Sequence, residues 1–529
     1  MGQTEAVTDR RDSAGDPSPA TAEIAYSSVE GARQLLERGS LTSRGLVETL
    51  LERIANTERG DLGLHALIAL CPDALETAES LDAERARGEL RGPLHGIPVL
   101  VKDNVDTVGA EGTTAGSLAL CLTRPLADAT VVQRLRAAGL VVLAKANLSE
   151  WANFRSVRSS SGWSATGGQC LNPHALDRSP GGSSSGSGAG VAAGLAPLAV
   201  GTETDGSILC PAALNGVVGI KPTVGLTSRT GVVPISSSQD TVGPMARCVA
   251  DAVALLGVLA GGASGADPLD EATMNRPAGL PADYMGCCRP DGLDGARIGM
   301  PRERYFGYSP KADALVEAAL QLARQAGAVV VDPADVPTAE AISQSSDELT
   351  VMLHEFKAGL EHYFATRPPA SGQPRNLDEL VAFNDAHAPD ELLYFGQDTL
   401  LLASSVGGLD DPAYLEARAR NWRRARRDGI DAALSSAGLD ALAFPTMGPA
   451  WLTDHVNGDS HTRAGYQAAA VAGYPAISIP IGKAGGLPVG LCLVGTAWSE
   501  PVLIRIAFGI EQVLALGDSM RPAWLARVG

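Results

Sequence analysis

The stretch Gly-Ile-Pro-Val-Leu-Val-Lys-Asp-Asn at residues 96–104 decides the fold, because its sequence predicts a buried strand that is followed directly by polar residues. Residues 97–101 form a continuous apolar run, which is typical of a strand that is covered on both faces. Three polar residues, of which Lys102 is the first, then end the run. Downstream, residues 130–138 and 140–144 predict a helix, a glycine turn and a second buried strand. This alternation indicates an α/β core.

The rest of the chain extends this core in both directions. In residues 43–56 the apolar residues Leu46, Leu50 and Ile54 recur every four positions, which predicts an amphipathic helix with Thr42 or Ser43 as its N-cap. Residues 335–435 are predicted to be mostly helical. The other predicted elements are helices at 28–38, 73–87 and 501–516 and strands at 329–331, 441–444, 476–481 and 490–494.

These elements predict one α/β core, a mixed β-sheet covered by α-helices, with the helical region 335–435 over one side. Hydrophobic residues make up 45 % of the chain and charged residues 19 %, which is a globular composition. Residues 1–23 are polar, so we expect a flexible N-terminal tail there. One domain is expected to cover residues 24–529.

Composition and charge exclude several classes of function. The chain has 42 Lys and Arg against 60 Asp and Glu, a net charge of −18, so its surface repels phosphate backbones and nucleic-acid binding is not expected. The longest apolar stretch, residues 190–201, is short and contains Pro197, so we expect no membrane span. Eight scattered cysteines and the lack of a secretory signal predict a cytoplasmic protein.

The Gly- and Ser-rich segment at residues 156–243 contains two short motifs that occur in known enzymes. Residues 182–186 match the nucleophile elbow G-x-S-x-G, and residues 188–193 match the dinucleotide fingerprint G-x-G-x-x-A. Both motifs require an apolar strand immediately before them, and neither has one here. We therefore expect neither function, and we expect the glycines to let a helix pack closely on a loop.

Lys102 has two interpretations from the residues alone. A lysine is commonly a surface residue, whose stem packs on apolar groups while its ammonium stays in water. Burial near hydroxyl groups would instead lower its pKa and make it a base. The segment Thr-Asp-Gly-Ser-Ile at residues 204–208 supplies candidate hydroxyls, but the pattern alone does not decide between the two.

A series of ordered blocks resembles the amidase signature family. The resemblance extends from about residue 24 to the C-terminus, and so many blocks in the same order make chance agreement negligible. The blocks are GIPVLVKDN at 96–104, AKANLSE at 144–150, the Gly/Ser segment at 180–188, GTETDGS at 201–207, GIKPT at 219–223, DTVGPMAR at 240–247 and LPVGL at 487–491.

Within this family the chain is most similar to the bacterial peptide amidases, which remove the C-terminal amide from peptides. The residues that carry this similarity are His-Glu-Phe-Lys-Ala-Gly-Leu at 354–360 and Gly-Tyr-Pro at 473–475. One departure indicates the same branch, since many family members have Arg two residues after the nucleophile and this chain has Leu209. This change argues against a tRNA-amidotransferase role and leaves the catalytic groups untouched.

The resemblance implies a Ser–cisSer–Lys triad, with Ser207 as the nucleophile, Ser183 as the bridging serine after a cis peptide bond and Lys102 as the base. A serine hydroxyl needs a base to take its proton, and a lysine can do so only when neutral. A free lysine titrates near 10.4, so burial and nearby positive charge must lower the pKa of Lys102 to about 7–8. No metal or cofactor is implied. The implied oxyanion hole consists of the backbone N–H groups of Thr204, Asp205, Gly206 and Ser207.

Four further residues have expected positions. Asn153 lies where family members line the acyl side of the cleft, and an ordinary loop amide is an equally open interpretation. Asp240 is expected to hold the active-site loops through hydrogen bonds rather than to take part in the chemistry. Trp163 and Trp498 are expected in the core rather than in the pocket.

The resemblance therefore predicts a serine-dependent amide hydrolase that releases ammonia from C-terminal carboxamides of peptides, or related amides, through an acyl-enzyme. A broader amidase, an esterase or a carbamate hydrolase forms the same intermediate, and an acyl transferase differs only in the access of water, so these alternatives stay open. A non-enzymatic assembly subunit is not favoured, because Lys102, Ser183 and Ser207 are all present. We expect a peptide or small-molecule amide as substrate, and a monomer or homodimer.

Overall fold

In the part of the chain that the structure describes, a mixed β-sheet of eleven strands forms the core. The computed structural model describes residues 23–58, 63–109, 112–262, 265–462 and 464–523. Within these residues the strands are β1 Leu67–Leu70, β2 Pro98–Lys102, β3 Val141–Ala146, β4 Trp163–Ser164, β5 Gly168–Gln169, β6 Leu198–Glu203, β7 Val218–Lys221, β8 Thr241–Ala246, β9 Arg297–Gly299, β10 Val329–Val331, β11 Ala441–Pro445, β12 Ala476–Ala484 and β13 Leu487–Val494.

The strands of the sheet follow the order β1-β3-β2-β6-β8-β7-β12-β13-β11-β9-β10, and β4 and β5 form a separate ribbon. The predicted strand at 97–101 is β2, which lies between two parallel neighbours, β3 and β6. The next strands, β8, β7, β12 and β13, pair antiparallel. The sheet is therefore mixed, which confirms the predicted fold class.

Helices cover this sheet, as predicted. None of the described helices is long and apolar enough to cross a membrane. The α-helices in the described residues are α1 Val29–Glu37, α2 Ser43–Thr57, α3 Ala74–Ala86, α4 Leu118–Cys121, α5 Thr130–Ala137, α6 Ser185–Ala192, α7 Leu209–Asn215, α8 Val249–Ala260, α9 Glu271–Met274, α10 Pro310–Gln325, α11 Ala339–Ser343, α12 Asp347–Thr366, α13 Leu377–Ala386, α14 Ala388–Glu391, α15 Asp398–Ser405, α16 Pro412–Ala425, α17 Asp431–Ser436, α18 Gln467–Ala472 and α19 Glu500–Leu514.

The predicted N-terminal helices are present, and their local chemistry is as the sequence indicates. Helix α2 begins after Thr42, whose Oγ1 accepts a hydrogen bond of 2.9 Å from Gly45 N. Its residues Leu46, Leu50 and Ile54 are buried. The flexible tail predicted for residues 1–23 lies, except for its last residue, outside the described part of the chain.

The Gly/Ser-rich segment contributes more to the sheet than its composition indicates. It contains β6 and β7 and leads into β8, so three neighbouring strands of the sheet arise from it or at its end. All six residues of β8 are buried, although Gly243 and Pro244 interrupt its apolar pattern. The apolar pattern of these residues does not predict a strand, and the segment is a strand because it pairs with β6 and β7.

The region 335–435 is mostly helical, as predicted, and it covers the loops that follow the central strands. Helix α12 belongs to an apolar cluster that also contains Trp151, Phe154 and Ile235. The rings of Phe154 and Phe356 lie 5.0 Å apart between their centroids. The helical region is therefore packed directly on the loops near residues 151–154 and 233–235.

Helix α6 begins two residues after Ser183, and its glycines allow close packing as predicted. No strand precedes it in residues 170–181, so neither the elbow nor the dinucleotide motif has its required context. Gly186 N donates a hydrogen bond of 2.9 Å to Asn147 O. A Cβ atom on Gly186 would lie 2.0 Å from Ala66 O, so only glycine lets the helix start at this depth.

The substitution Gly186→Ala should therefore destabilise the protein by roughly 1–3 kcal/mol or more, because the backbone at Ala66 and Asn147 must move. The matched control is Gly257→Ala in α8, where a Cβ atom meets nothing within 4 Å. This control should stabilise the protein by about 0.4–1 kcal/mol. Urea unfolding of both variants checks the pair, and equal midpoints for the two would contradict this packing.

Candidate active site

Lys102 is the last residue of β2, and its side chain is completely buried. Its Nζ lies 2.8 Å from Ser183 Oγ, 2.8 Å from Thr202 Oγ1 and 3.2 Å from Thr202 O. Asn104 Nδ2 donates to the same Thr202 hydroxyl at 3.0 Å. The amine is thus surrounded by neutral oxygen atoms, and no carboxylate in the described residues is within hydrogen-bond distance of it.

Burial lowers the pKa of Lys102 to about 7, although the negative charges of Glu203 and Asp240 act in the opposite direction. The cause is the loss of water around the charged ammonium, which disfavours it relative to the neutral amine. A neutral amine has two N–H groups and one lone pair. Because Thr202 offers two acceptor oxygens, the lone pair is left for the hydroxyl of Ser183.

The loop before α6 carries Ser183 and is bonded to the segment that carries Ser207. The peptide bond between Gly182 and Ser183 is cis. Ser149 N donates to Ser183 O at 3.1 Å, and Ser184 N donates to Ser207 O at 3.0 Å. The second of these bonds joins the bridging-serine loop to the segment between β6 and α7.

Ser207 lines a cavity of about 350 Å³. Gly182, Thr204 and Asp205 also line it, so the cavity reaches the loops that carry the predicted triad. Ser207 itself is 7 % exposed, which leaves its side chain accessible from the cavity only. The structure thus brings Lys102, Ser183 and the Ser207 loop together.

Three of the four predicted oxyanion donors are unengaged. The N–H groups of Thr204, Asp205 and Ser207 donate no hydrogen bond within the described residues. The fourth, Gly206 N–H, faces the Glu203 carboxylate and lowers its pKa against the effect of burial. Glu203 Oε2 also accepts bonds from Ile208 N and Leu209 N, at 2.7 and 2.9 Å. The buried carboxylate therefore fixes the shape of the turn that carries Ser207.

Gly206 is required by the conformation of this turn. Its φ of +81° is in the left-handed region, and a Cβ atom there would lie 2.2 Å from Cε2 of Tyr466. The Tyr466 ring therefore lies directly against the backbone beside Ser207, and it forms one wall of the cavity.

Asp240 holds the Thr204 end of the same turn. Its Oδ1 accepts from Thr204 Oγ1 at 2.5 Å, and its Oδ2 accepts from Ile235 N and Ser236 N at 2.8 and 2.9 Å. Burial raises the pKa of Asp240 to about 6, and these hydrogen bonds oppose that shift. The position agrees with the predicted structural role.

Asn153 lines the cavity, and its Oδ1 is buried without a hydrogen-bond partner in the described residues. It ends a run of three residues with left-handed backbone, in which φ is 49° at Trp151, 52° at Ala152 and 73° at Asn153. Such strain in non-glycine residues is concentrated at functional sites. The two predicted core residues, Trp163 and Trp498, do not line the cavity.

Sequence reasoning missed most of the far wall of the cavity. Most of this wall comes from the segment after β11 and from the start of α18, and Met352 of α12 adds to it. No spacing in the sequence relates these residues to Ser207. Asp459 accepts hydrogen bonds from Ser161 N, Ser161 Oγ and Trp451 Nε1, so it joins two loops at the wall. The missed lining residues are Met352, Met447, Trp451, Asp459, His461, Ala464, Tyr466 and Gln467.

The residues that the structure describes contain no group of three or more His, Cys, Asp and Glu side chains that could hold a metal ion. Around the Ser207 turn, Glu203 and Asp240 are carboxylates that accept hydrogen bonds from loops, and Lys102 is the buried amine beside Ser183. The arrangement can move a proton between hydroxyl groups and an amine, next to unengaged backbone N–H groups.

Comparison with known proteins agrees with this geometry. The Amidase family model matches residues 45–504. The X-ray structure of native peptide amidase from Stenotrophomonas maltophilia is 50 % identical, with a TM-score of 0.88 over 95 % of this chain and 99 % of that chain. A protein of Arabidopsis thaliana named "Probable amidase" is 39 % identical over 499 residues, 93 % of this chain and 91 % of the relative.

A glutamyl-tRNA(Gln) amidotransferase subunit from Anaeromyxobacter dehalogenans is 38 % identical over 491 residues, 90 % of this chain and 94 % of the relative. The family match covers most of the chain, and the Ser–cisSer–Lys triad is a general feature of that family. The chain therefore belongs to the amidase signature family, and the protein is an amide hydrolase.

Proposed function

We propose that this protein removes the C-terminal amide from peptides, through an acyl-enzyme formed on Ser207. The observation that carries the proposal is the hydrogen bond of 2.8 Å between Lys102 Nζ and Ser183 Oγ, in a loop bonded to the Ser207 segment. Similarity to a peptide amidase of known structure supports the choice of substrate class.

In the first half of the reaction, Ser207 Oγ attacks the amide carbon. The Ser207 proton passes to Ser183 Oγ while the Ser183 proton passes to the neutral Lys102 Nζ. The C–O bond forms, and the negative charge moves to the carbonyl oxygen. When the C–N bond breaks, the proton on Lys102 returns through Ser183 to the leaving nitrogen, which departs as ammonia.

In the second half, a water molecule attacks the acyl-enzyme with the help of the same two groups. Its proton passes to Ser183 and Lys102, and Ser207 recovers its own proton when the ester bond breaks. In both halves the N–H groups of Thr204, Asp205 and Ser207 stabilise the oxyanion, because backbone donors fixed in place need no reorganisation.

The cavity favours a substrate larger than a simple amide. Its volume of about 350 Å³ accommodates side chains beyond the reacting carboxamide. The partnerless Oδ1 of Asn153 can accept a substrate N–H, and Phe154 and Trp451 offer apolar surface. Contacts of this kind orient the carbonyl at Ser207, and a short amide cannot make them.

The residues of the triad do not distinguish all of the alternatives from the sequence. An ester or carbamate hydrolase and an acyl transferase would use the same triad, so the substrate decides among them. A tRNA-amidotransferase role is less well supported, because Leu209 replaces the common arginine and the peptide amidase is more similar in sequence.

We place the protein in the cytoplasm. All eight cysteines are free, and a reducing compartment keeps cysteines in this form.

One prediction from the proposed function concerns the dependence of activity on pH. Since only neutral Lys102 accepts a proton, kcat/KM should rise with pH and reach half its maximum near pH 7. Lys102→Met should lower the rate by roughly 10²–10⁴-fold. Asp240→Asn should move the midpoint to lower pH, because the charge of Asp240 raises the pKa of Lys102.

The matched control is Asp291→Asn, which removes one exposed charge and should leave the midpoint where it is. Steady-state rates between pH 5 and 10 supply the measurement. A midpoint near 10, or the same midpoint in wild type and Asp240→Asn, would contradict the assignment of Lys102 as the base.

The second prediction concerns selectivity. An N-protected dipeptide amide should have a kcat/KM at least about 100-fold above that of acetamide, since each 1.4 kcal/mol of contact is worth a factor of ten. Asn153→Ala should lower the value for the dipeptide amide by about tenfold and leave that for acetamide unchanged. A longer peptide without a terminal amide should stay intact.

Ammonia release and mass spectrometry of the products check these expectations. Equal efficiency on acetamide would favour a general amidase. Cleavage inside the longer peptide would favour a peptidase, and either result would defeat the proposed substrate class.

A further inference from the structure

Glu355 is a buried carboxylate that the proposed reaction does not use. It lies on α12 within the segment that resembles the peptide amidases, and it is 2 % exposed. Its Oε2 accepts from Ser236 Oγ at 2.5 Å, Ser238 N at 3.0 Å and Ser238 Oγ at 2.9 Å. Its Oε1 accepts from Tyr414 OH at 2.8 Å. Four donors thus converge on one side chain.

The loop at residues 235–240 connects Glu355 to Thr204. Its Ile235 N and Ser236 N donate to Asp240 Oδ2, and Asp240 Oδ1 accepts from Thr204 Oγ1. Glu355 thus holds Ser236 by its hydroxyl while Asp240 holds the same residue by its backbone. The path from α12 to Thr204 consists of hydrogen bonds, and its members Glu355, Ser236 and Thr204 are buried while Asp240 is partly buried.

A second path joins the same helix to Thr204. Glu348 precedes Glu355 by seven residues, two helical turns, so the two carboxylates lie on one face of α12. Glu348 Oε1 accepts from Gln239 Nε2 at 2.9 Å, and the same Nε2 donates to Thr204 O at 3.3 Å. Thr204 is therefore held through its hydroxyl and through its carbonyl.

We propose that Glu355 is a positioning residue for the oxyanion hole. Through the 235–240 loop it fixes the orientation of Thr204, whose backbone N–H is one of the unengaged donors beside Ser207. The proposal rests on the proposed function, because that function gives the Thr204 N–H its role. It also gives Glu355 of the helical region a part in catalysis, although Glu355 does not line the cavity.

Substitutions at position 355 can separate the effect of the hydrogen bonds of Glu355 from the effect of its charge. An amide at position 355 can direct its oxygen to the two serines and its NH₂ to Tyr414, because a tyrosine hydroxyl also accepts a hydrogen bond. Glutamine should therefore preserve the loop. Alanine leaves the Ser238 N–H without a partner and frees the loop to shift.

The experiment compares Glu355→Ala, Glu355→Gln and the control Glu361→Ala, which removes an exposed carboxylate from the same helix. The kcat and KM of each variant are measured on the best substrate of the wild type, with its Tm as a test of folding. Glu355→Ala should lose about tenfold or more in kcat, since displacing an oxyanion donor costs up to 10²–10³-fold. Its KM should stay within about twofold, and Glu355→Gln and the control should keep kcat within about threefold of wild type.

A folded Glu355→Ala enzyme with wild-type kcat would overturn the proposal, and so would a Glu355→Gln enzyme as slow as the alanine variant. If Glu355→Ala does not fold, Glu355→Asp decides, since it keeps the charge but withdraws it by one methylene. A reduced kcat with unchanged KM supports the proposal, and an unchanged kcat overturns it. Failure of the proposed function would be recognised separately, because the wild-type enzyme would then release no ammonia from a peptide amide. The kcat of each variant relative to wild type could still be measured on any other amide or ester.

Discussion

The burial of the Lys102 amine at the end of a central strand is the constraint on which the rest of the site depends. Charging an amine without water or a carboxylate partner is unfavourable, so the neutral form becomes accessible near neutral pH. Thr202 then takes the N–H groups, and Ser183 is left to face the lone pair. Strand β2 lies between two parallel neighbours and all five of its residues are buried, so the Lys102 side chain ends inside the protein and out of contact with solvent.

The glycine-rich loops are the second requirement, since Ser183 and Ser207 must approach this amine from two different elements. A side chain at Gly186 or Gly206 would collide with a neighbouring backbone or with the Tyr466 ring. The Glu203 and Asp240 carboxylates then hold the Ser207 turn from opposite ends. The glycines thus allow the two serine loops to come close together, and the two carboxylates fix the conformation of the Ser207 turn. The helical region adds a third layer, which holds the loop beneath Thr204.

The sequence predicted the strands with continuous apolar runs, such as β2, and the helices with regular spacing, such as α2. It did not predict β8, because Gly243 and Pro244 break the pattern and only pairing with β6 and β7 makes the segment a strand. The burial of Lys102 was open from the residues alone and was decided by resemblance. The cavity wall at Trp451, Asp459 and Tyr466 had no local signal, since these residues meet Ser207 only through the fold.

The most direct test of the mechanism is covalent labelling of the native protein with a fluorophosphonate, followed by mass spectrometry of the digested peptides. We predict one adduct, on Ser207, which forms in the folded enzyme and not in the urea-unfolded chain, because only the fold bonds Lys102 to Ser183 and the Ser183 loop to the Ser207 segment. The same adduct should be absent from Ser207→Ala, which should also lose turnover. An adduct on another serine, or a Ser207→Ala enzyme that keeps both labelling and wild-type turnover, would contradict the assignment of Ser207 as the nucleophile.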